Sequence, residues 1–387
     1  MAFTVAVGSA QSIDGREAAV QATRQALDQL GKASVTFGAI FASSEFPIQT
    51  VLAGVSSLLS STPLWGISAT RPFDRQGAHN RSIVVTLVAG SDLKAQASWW
   101  QNFTPNNLGD TQRLLPLLQT GILMQRCLFV AGDGFTIDAD QLVSVLARLR
   151  LPIYGCLASA SPLASKTYQV AGNQAGTNGL ATLLLTGPFR IGVGLAHSRL
   201  STGHHFKITS VNNTRLRGLD NLPPAQAYSR ILGHTREEWA VPPLAEMVRL
   251  YPLGVVVEKG TGLLIRSPLR VNEDGSFLMN APLKEGSSSY MMVGTRPACL
   301  KAVGDAVKTA IDELQGAQPL LAIVFIDTAW QLLLEMQGSP ELEALRAALG
   351  DQVPIAGAYT FGQITGNPPM QLPQLLNQHI QVILLAA

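Results

Sequence analysis

The residues best suited to hold a small molecule gather near the end of the chain. Tyr359, Thr360, Gly362, Gln363 and Asn377 offer an aromatic face, a hydroxyl, open backbone and two amides. Neutral groups of this kind orient a polar ligand by directed hydrogen bonds. Arg266 adds a guanidinium whose planar fork matches a carboxylate. Asp274 or Glu285 could receive an amine. The stretch from Gly357 to Gly362 also suits a tight β-turn packed against an interface, and the spacing alone does not separate the two readings.

Motifs for catalysis do not stand out. Gly66-Ile67-Ser68-Ala69-Thr70 lacks the last glycine of a nucleophile elbow. No G-x-x-x-x-G-K-[ST] loop and no H-E-x-x-H helix occurs. Gly132-Asp133-Gly134 follows a strand pattern but lacks the third glycine of a dinucleotide fingerprint. Cys127, Cys156 and Cys299 are odd in number and show no C-x-x-C spacing, so neither a disulfide framework nor a zinc knuckle is indicated. Cys127 reads as a small core hydrophobe. Cys156, at a strand end, and Ser159 are the candidate nucleophiles of a hydrolase reading, with no base at an informative spacing. The histidines are His79, His197, His204, His205, His234 and His379. His204 and His205 point opposite ways on a strand. His379, two residues after Asn377, is placed to line a cleft. No residue is assigned to catalysis or to a metal, and no cofactor is expected.

Elements must position these groups, and composition says what kind. Of 387 residues 47% are hydrophobic and 14% charged, against a usual ~25% charged. That balance excludes a disordered chain and predicts sheets covered on both faces. A net charge of +2 is too small for the basic field of a nucleic-acid binder. The start shows no signal-peptide pattern, and no apolar run approaches the ~20 residues of a membrane span. A soluble cytoplasmic protein with no membrane or nucleic-acid partner is expected.

One order of elements recurs three times: a strand ending in Gly-Ser or Gly-Thr, a helix, a buried strand, a helix, a Pro-led strand reaching Gly, and a closing strand. The first copy has strands Phe3–Val7, Val35–Phe41, Leu64–Ile67 and Ile83–Val88, with helices Gly15–Leu30 and Val51–Leu59. In the second, Ile83–Val88 doubles as the opening strand. Helices are predicted near Leu93–Trp100 and Gln112–Leu118, then strand Cys127–Val130, helix Ala139–Leu149 and closing strand Leu180–Leu185. In the third, Tyr290–Val293 opens, followed by helix Ala298–Leu314, strand Leu320–Ile326, helix Glu341–Leu349 and strand Ile380–Leu385. Pro63-Leu64-Trp65-Gly66, Pro152-Ile153-Tyr154-Gly155 and Pro354-Ile355-Ala356-Gly357 mark the same step. Three copies in one order point to duplication. Between the second and third copies lie short strands, including Leu253–Glu258, Gly262–Ile265 and Phe277–Asn280, and a helix from Leu222-Pro223-Pro224-Ala225 to Leu232-Gly233. The reading is an α/β protein of duplicated strand-helix units with mixed β-sheets covered by helices. Its two closely packed domains are 1–197 and 198–387.

Four stretches of the C-terminal half resemble the FIST family, a FIST N domain followed by a FIST C domain. Leu222-Pro223-Pro224-Ala225 with Tyr228 and Leu232-Gly233 is similar to its "eLdg.pA..vY...lG" stretch. Ile265-Arg266 with Glu273-Asp274-Gly275-Ser276 and Leu283 to Gly286 is similar to its "iR … DGs … EG" stretch. Ala356 to Ile364 resembles "GfytyGEI", and Asn377 falls at "hN.t". The family's acid in the third of these is Gln363 here. The resemblance implies a stand-alone, non-catalytic sensory module of signal transduction. It further implies a small, possibly amino acid-like ligand in a cleft lined by Arg266, Tyr359, Thr360, Gly362, Gln363 and Asn377, and a protein signalling partner. Some members bind haem and respond to nitric oxide, which makes a haem-based gas sensor the alternative; an interaction scaffold is another.

Overall fold

The computed structural model describes residues 3–103, 124–161, 164, 166–256, 263–334, 338–367 and 371–387. The triple repeat is present, and three sheets carry it. In each, an opening strand pairs antiparallel with a closing strand, the closing strand with a buried strand, and the buried strand runs parallel to the Pro-led strand. The first sheet uses Thr4–Gln11, Ser82–Ala89, Phe37–Ser43 and Leu64–Ala69. The second uses Lys94–Gln101, Gly179–Gly187, Gln125–Gly132 and Ile153–Leu157. The third uses Arg190–His197, His379–Ala386, Pro319–Asp327 and Ile355–Thr360.

Two elements differ from the sequence reading. Lys94–Gln101 is a strand, not a helix. Its alternation of exposed and half-buried residues has period two, which its alanines disguise as helix propensity. This strand opens the second unit, so Ser82–Ala89 serves the first alone. Likewise the third unit is opened by Arg190–His197. The strand Ser288–Gly294 instead belongs to a separate seven-stranded sheet, paired with Arg199–Asn212 and Leu253–Val256. Residues 199–294 are thus an insertion between the opening strand and the helix Arg296–Glu313. The expected helix Gln112–Leu118 and residues 257–262 of the expected strands lie outside the described residues.

The Pro-apolar-x-Gly step has a steric cause. A Cβ on Gly66, Gly155 or Gly357 would sit 2.3, 1.8 or 2.3 Å from the carbonyl oxygens of Ile40, Val130 and Val324 on the buried strand alongside. Only glycine allows that approach. Just before each closing strand stands a left-handed residue, Arg81, Asn178 and Gln378, with φ of 47°, 54° and 63°.

Beyond that glycine each chain segment leaves its own sheet. Pro72–Asp74 of the first unit pairs with Ile355–Thr360 of the third. Gln169–Ala171 of the second pairs with Leu64–Ala69 of the first. Gly362–Asn367 of the third pairs with Ile153–Leu157 of the second. The three sheets are therefore laced into a closed ring. Their inner faces meet in one core around Phe41, Trp65, Phe129, Tyr154 and Phe325, with Phe41 to Phe325 and Trp65 to Phe129 ring centroids 5.8 and 5.9 Å apart. Helices cover the outer faces, so the inner strands are covered on both sides, as the low charge content implies. No helix among the described residues is long and apolar enough to cross a membrane.

Candidate functional site

Where the Pro-led strands end, the three units and the insertion meet in a polar seam. Ser159, fully buried, is its hub. Its Oγ donates to the Tyr359 carbonyl at 2.5 Å and accepts from the Thr70 amide at 2.9 Å. Its own amide donates to the Ser68 carbonyl at 3.1 Å, and its carbonyl accepts from Ser68 Oγ at 3.0 Å. One residue of the second unit thus ties the first unit to the third. With Oγ spent on two backbone groups, Ser159 is a structural tie, not a poised nucleophile. Cys156 is buried and its thiol is pushed well up by desolvation, the reverse of what a reactive thiolate needs.

The sequence-predicted residues lie behind this seam, in the interior. Tyr359 is fully buried; its hydroxyl donates to Glu341 and its ring meets Phe73 edge-on at 5.5 Å. Gln363 is satisfied when its amide oxygen accepts from Thr360 Oγ1 at 3.0 Å and its nitrogen donates to the carbonyls of Leu376 and His379, each at 3.3 Å. Asn377 donates to the Phe361 carbonyl at 3.3 Å, and a Cβ on Gly362 would press on that amide at 2.9 Å. Arg266, 5% exposed, donates to the Leu375 carbonyl at 3.2 Å and to Asp140 at 2.8 Å. Burial raises the Asp140 carboxyl, and Arg266 pulls it back. Thr360, Gly362, Gln363 and Asn377 are therefore brought together, and Arg266 lies alongside through Leu375. All five, with Tyr359, bond to the protein itself, while the buried Asn377 Oδ1 has no partner among the described residues. Asp274 pairs with Arg215 at 2.6 Å and Glu285 is exposed, both away from this group.

A cavity of about 240 Å³ opens in front of the seam. The first unit lines it with Thr70, Arg71, Asn80 and Glu45, the second with Ser161, and the C-terminal half with Thr328, Gln331, Leu332, Glu246 and Arg249. The helix Thr328–Leu334 supplies three of these. Its first turn is pinned by Asp327, whose Oδ1 accepts from the Ala329 amide at 2.9 Å while Oδ2 accepts from the Gln378 amide at 2.8 Å. Asp133 does the same in the second unit, holding Phe135, Thr136 and Asn178. Asp327 is thus a repeat feature, and burial raises its pKa despite those bonds. Across the cavity Thr70 Oγ1 donates to Gln331 Oε1 at 2.7 Å. Arg249 packs over the Phe361 ring at 5.2 Å, so the C-terminal turn supports the cavity wall from behind.

Sequence reasoning did not single out Arg249, Thr328 or Gln331. A buried arginine has no local signature, and these residues meet only after the ring closes. Thr70 did stand in a quoted turn, Gly66 to Thr70.

Histidines stand elsewhere. His379 and His197 face each other across paired strands, ring centroids 5.0 Å apart. His379 Nδ1 bonds the Asn377 carbonyl at 2.6 Å, which places its neutral-form proton on Nδ1, and burial lowers its pKa to about 4. His204 and His205 lie on the strand Arg199–Asn212. Among the described residues the cavity has no histidine in its lining, so these residues do not suit a histidine-ligated haem.

Residues 36–222 match the FIST N domain and residues 224–365 the FIST C domain. The chain belongs to the FIST family. FIST domains are sensory, ligand-binding modules of signal transduction. The FIST C match begins at the helix Pro224–Leu232 and ends in the strand Gly362–Asn367. It thus takes in the cavity residues Glu246, Arg249, Thr328 and Gln331, whereas Thr70 and Arg71 fall in FIST N. The chain matches no curated protein. Among solved structures, a cyanuric acid hydrolase from A. caulinodans aligns with 48% of this chain and 71% of its own, at 8% identity and a TM-score of 0.28. A likeness that slight carries no argument.

Proposed function

We propose that this FIST protein is a cytoplasmic, non-catalytic sensor whose small polar ligand occupies the cavity at the seam. One observation carries the reading: the cavity is walled jointly by the FIST N and FIST C halves, and the Thr70–Gln331 hydrogen bond crosses between them. A ligand competing for these groups changes how the halves are held, which is what a partner protein needs in order to read occupancy. In this reading Tyr359, Thr360, Gly362, Gln363, Asn377 and Arg266 form the rigid backing that fixes Phe361 and hence the cavity wall. The non-catalytic part rests on Ser159 and Cys156, the two candidate nucleophiles, being bonded and buried.

The test is a thermal-shift screen of small polar metabolites, amino acids included, on the protein and on Leu332→Trp. At least one compound is expected to raise the Tm by several degrees, and the indole, which fills the cavity, should abolish the shift. A screen in which no compound stabilises the protein, or in which Leu332→Trp responds as the parent does, removes the reading.

A further inference from the structure

The bonding of Arg249 goes one step beyond that reading, and rests on it. Arg249 is 9% exposed, yet among the described residues only its Nε–H is bonded to protein, to the Leu269 carbonyl at 2.9 Å. Among the described residues it makes no ion pair. Asp327 and Glu246 act on it from longer range. Asp327 is not free to neutralise it. Both of its oxygens accept backbone amides, and it is shared with a second buried guanidinium, Arg199, whose Nε and Nη2 have no partner among the described residues.

Glu45 is taken by Arg81 at 2.7 Å, and Glu246, in the same lining, reaches Arg249 only as a longer-range charge. A buried cation without a counterion is costly, and an anion that enters beside it recovers that cost.

We infer that the cavity takes a small organic monoanion whose carboxylate is anchored by Arg249. The guanidinium fork suits two carboxylate oxygens. Its plane is held in advance by the Phe361 ring and the Leu269 carbonyl, so little freedom is lost on binding. Thr328 and Gln331 face the remainder of the ligand with a hydroxyl and an amide. A volume of about 240 Å³ is below the usual ~300–1,000 Å³ of a drug-sized pocket, which limits the ligand to a small acid. A zwitterionic amino acid brings an ammonium beside the same guanidinium, and the like charges repel.

Calorimetric titration with propionate, pyruvate, propionamide, alanine and inorganic phosphate tests this. A carboxylate is expected to bind at least ten times more tightly than propionamide, alanine and phosphate. Arg249→Gln should weaken that binding at least tenfold, Arg249→Lys should restore part of it, and guanidinium ion should rescue Arg249→Ala. Leu332→Trp, which keeps the charge, should lose binding as well, and near-UV circular dichroism verifies the fold of each variant. Binding that survives Arg249→Gln, or preference for propionamide, alanine or phosphate, overturns the monoanion while leaving the cavity reading in place. So does failure of both carboxylates when another compound of the screen shifts the Tm. If nothing binds at all, both fall.

Discussion

Two buried arginines of this chain carry opposite energetics. Arg266 is matched: one nitrogen meets Asp140 at 2.8 Å and another the Leu375 carbonyl at 3.2 Å. Removing it leaves the partly exposed Asp140 carboxyl and the Leu375 carbonyl unpaired, and losing such charge-assisted bonds costs about 2 kcal/mol. Arg249 is unmatched, and burial depresses its pKa. Replacing an unpaired buried charge by an apolar chain of like volume is often neutral or stabilising by about 1 kcal/mol or more. Urea denaturation should therefore find Arg266→Met destabilised by roughly 2 kcal/mol and Arg249→Met no less stable than the parent. Equal losses in the two variants would show that Arg249 is an ordinary structural residue. A group that lowers stability yet faces a cavity is what a binding site requires.

At the scale of elements, the repeat rests on a few backbone demands. Gly155 is the tightest: a Cβ there would lie 1.8 Å from the Val130 carbonyl, where nothing flexible can yield. The parallel pair Gln125–Gly132 and Ile153–Leu157 would have to part, so Gly155→Ala is expected to cost about 2–3 kcal/mol. Gly172→Ala is a useful control, since no atom lies within 4 Å of its added Cβ and only its φ of 61° resists. Its loss in urea denaturation should be the smaller. Gly155, like Gly66 and Gly357, was legible as a spacing. The opening strand Lys94–Gln101 was not, because alanines at alternate positions satisfy a helical reading until a partner strand is in place.

The whole molecule behaves as a ring. Each unit donates a strand to another sheet, so no unit closes its own edge. A fragment of residues 1–197 would leave Ile153–Leu157 without Gly362–Asn367, and Pro72–Asp74 without Ile355–Thr360. It would also uncover the inner core at Phe325. Exposed edges of this kind drive aggregation. The full chain is expected to unfold in one cooperative transition with coincident near-UV and far-UV signals, and the fragment to show no cooperative transition. A fragment that folds and melts cooperatively would mean the two halves are independent.

The sequence by itself determined the α/β class, the triple repeat with its Pro-apolar-x-Gly steps, and the FIST resemblance. These depend on local periodicity, on single glycines and on short contiguous motifs. It also placed Thr360, Gly362, Gln363 and Asn377 in one group, since they flank a single hairpin. The tertiary structure alone decided which strand opens the third unit, because Arg190–His197 and Ser288–Gly294 are equally strand-like and only pairing tells them apart. It alone turned Arg266 inward to Asp140 and left Arg249 at the cavity without an ion pair among the described residues. Charge compensation depends on which side chains the closed ring brings within reach, and no spacing along the chain encodes that distance.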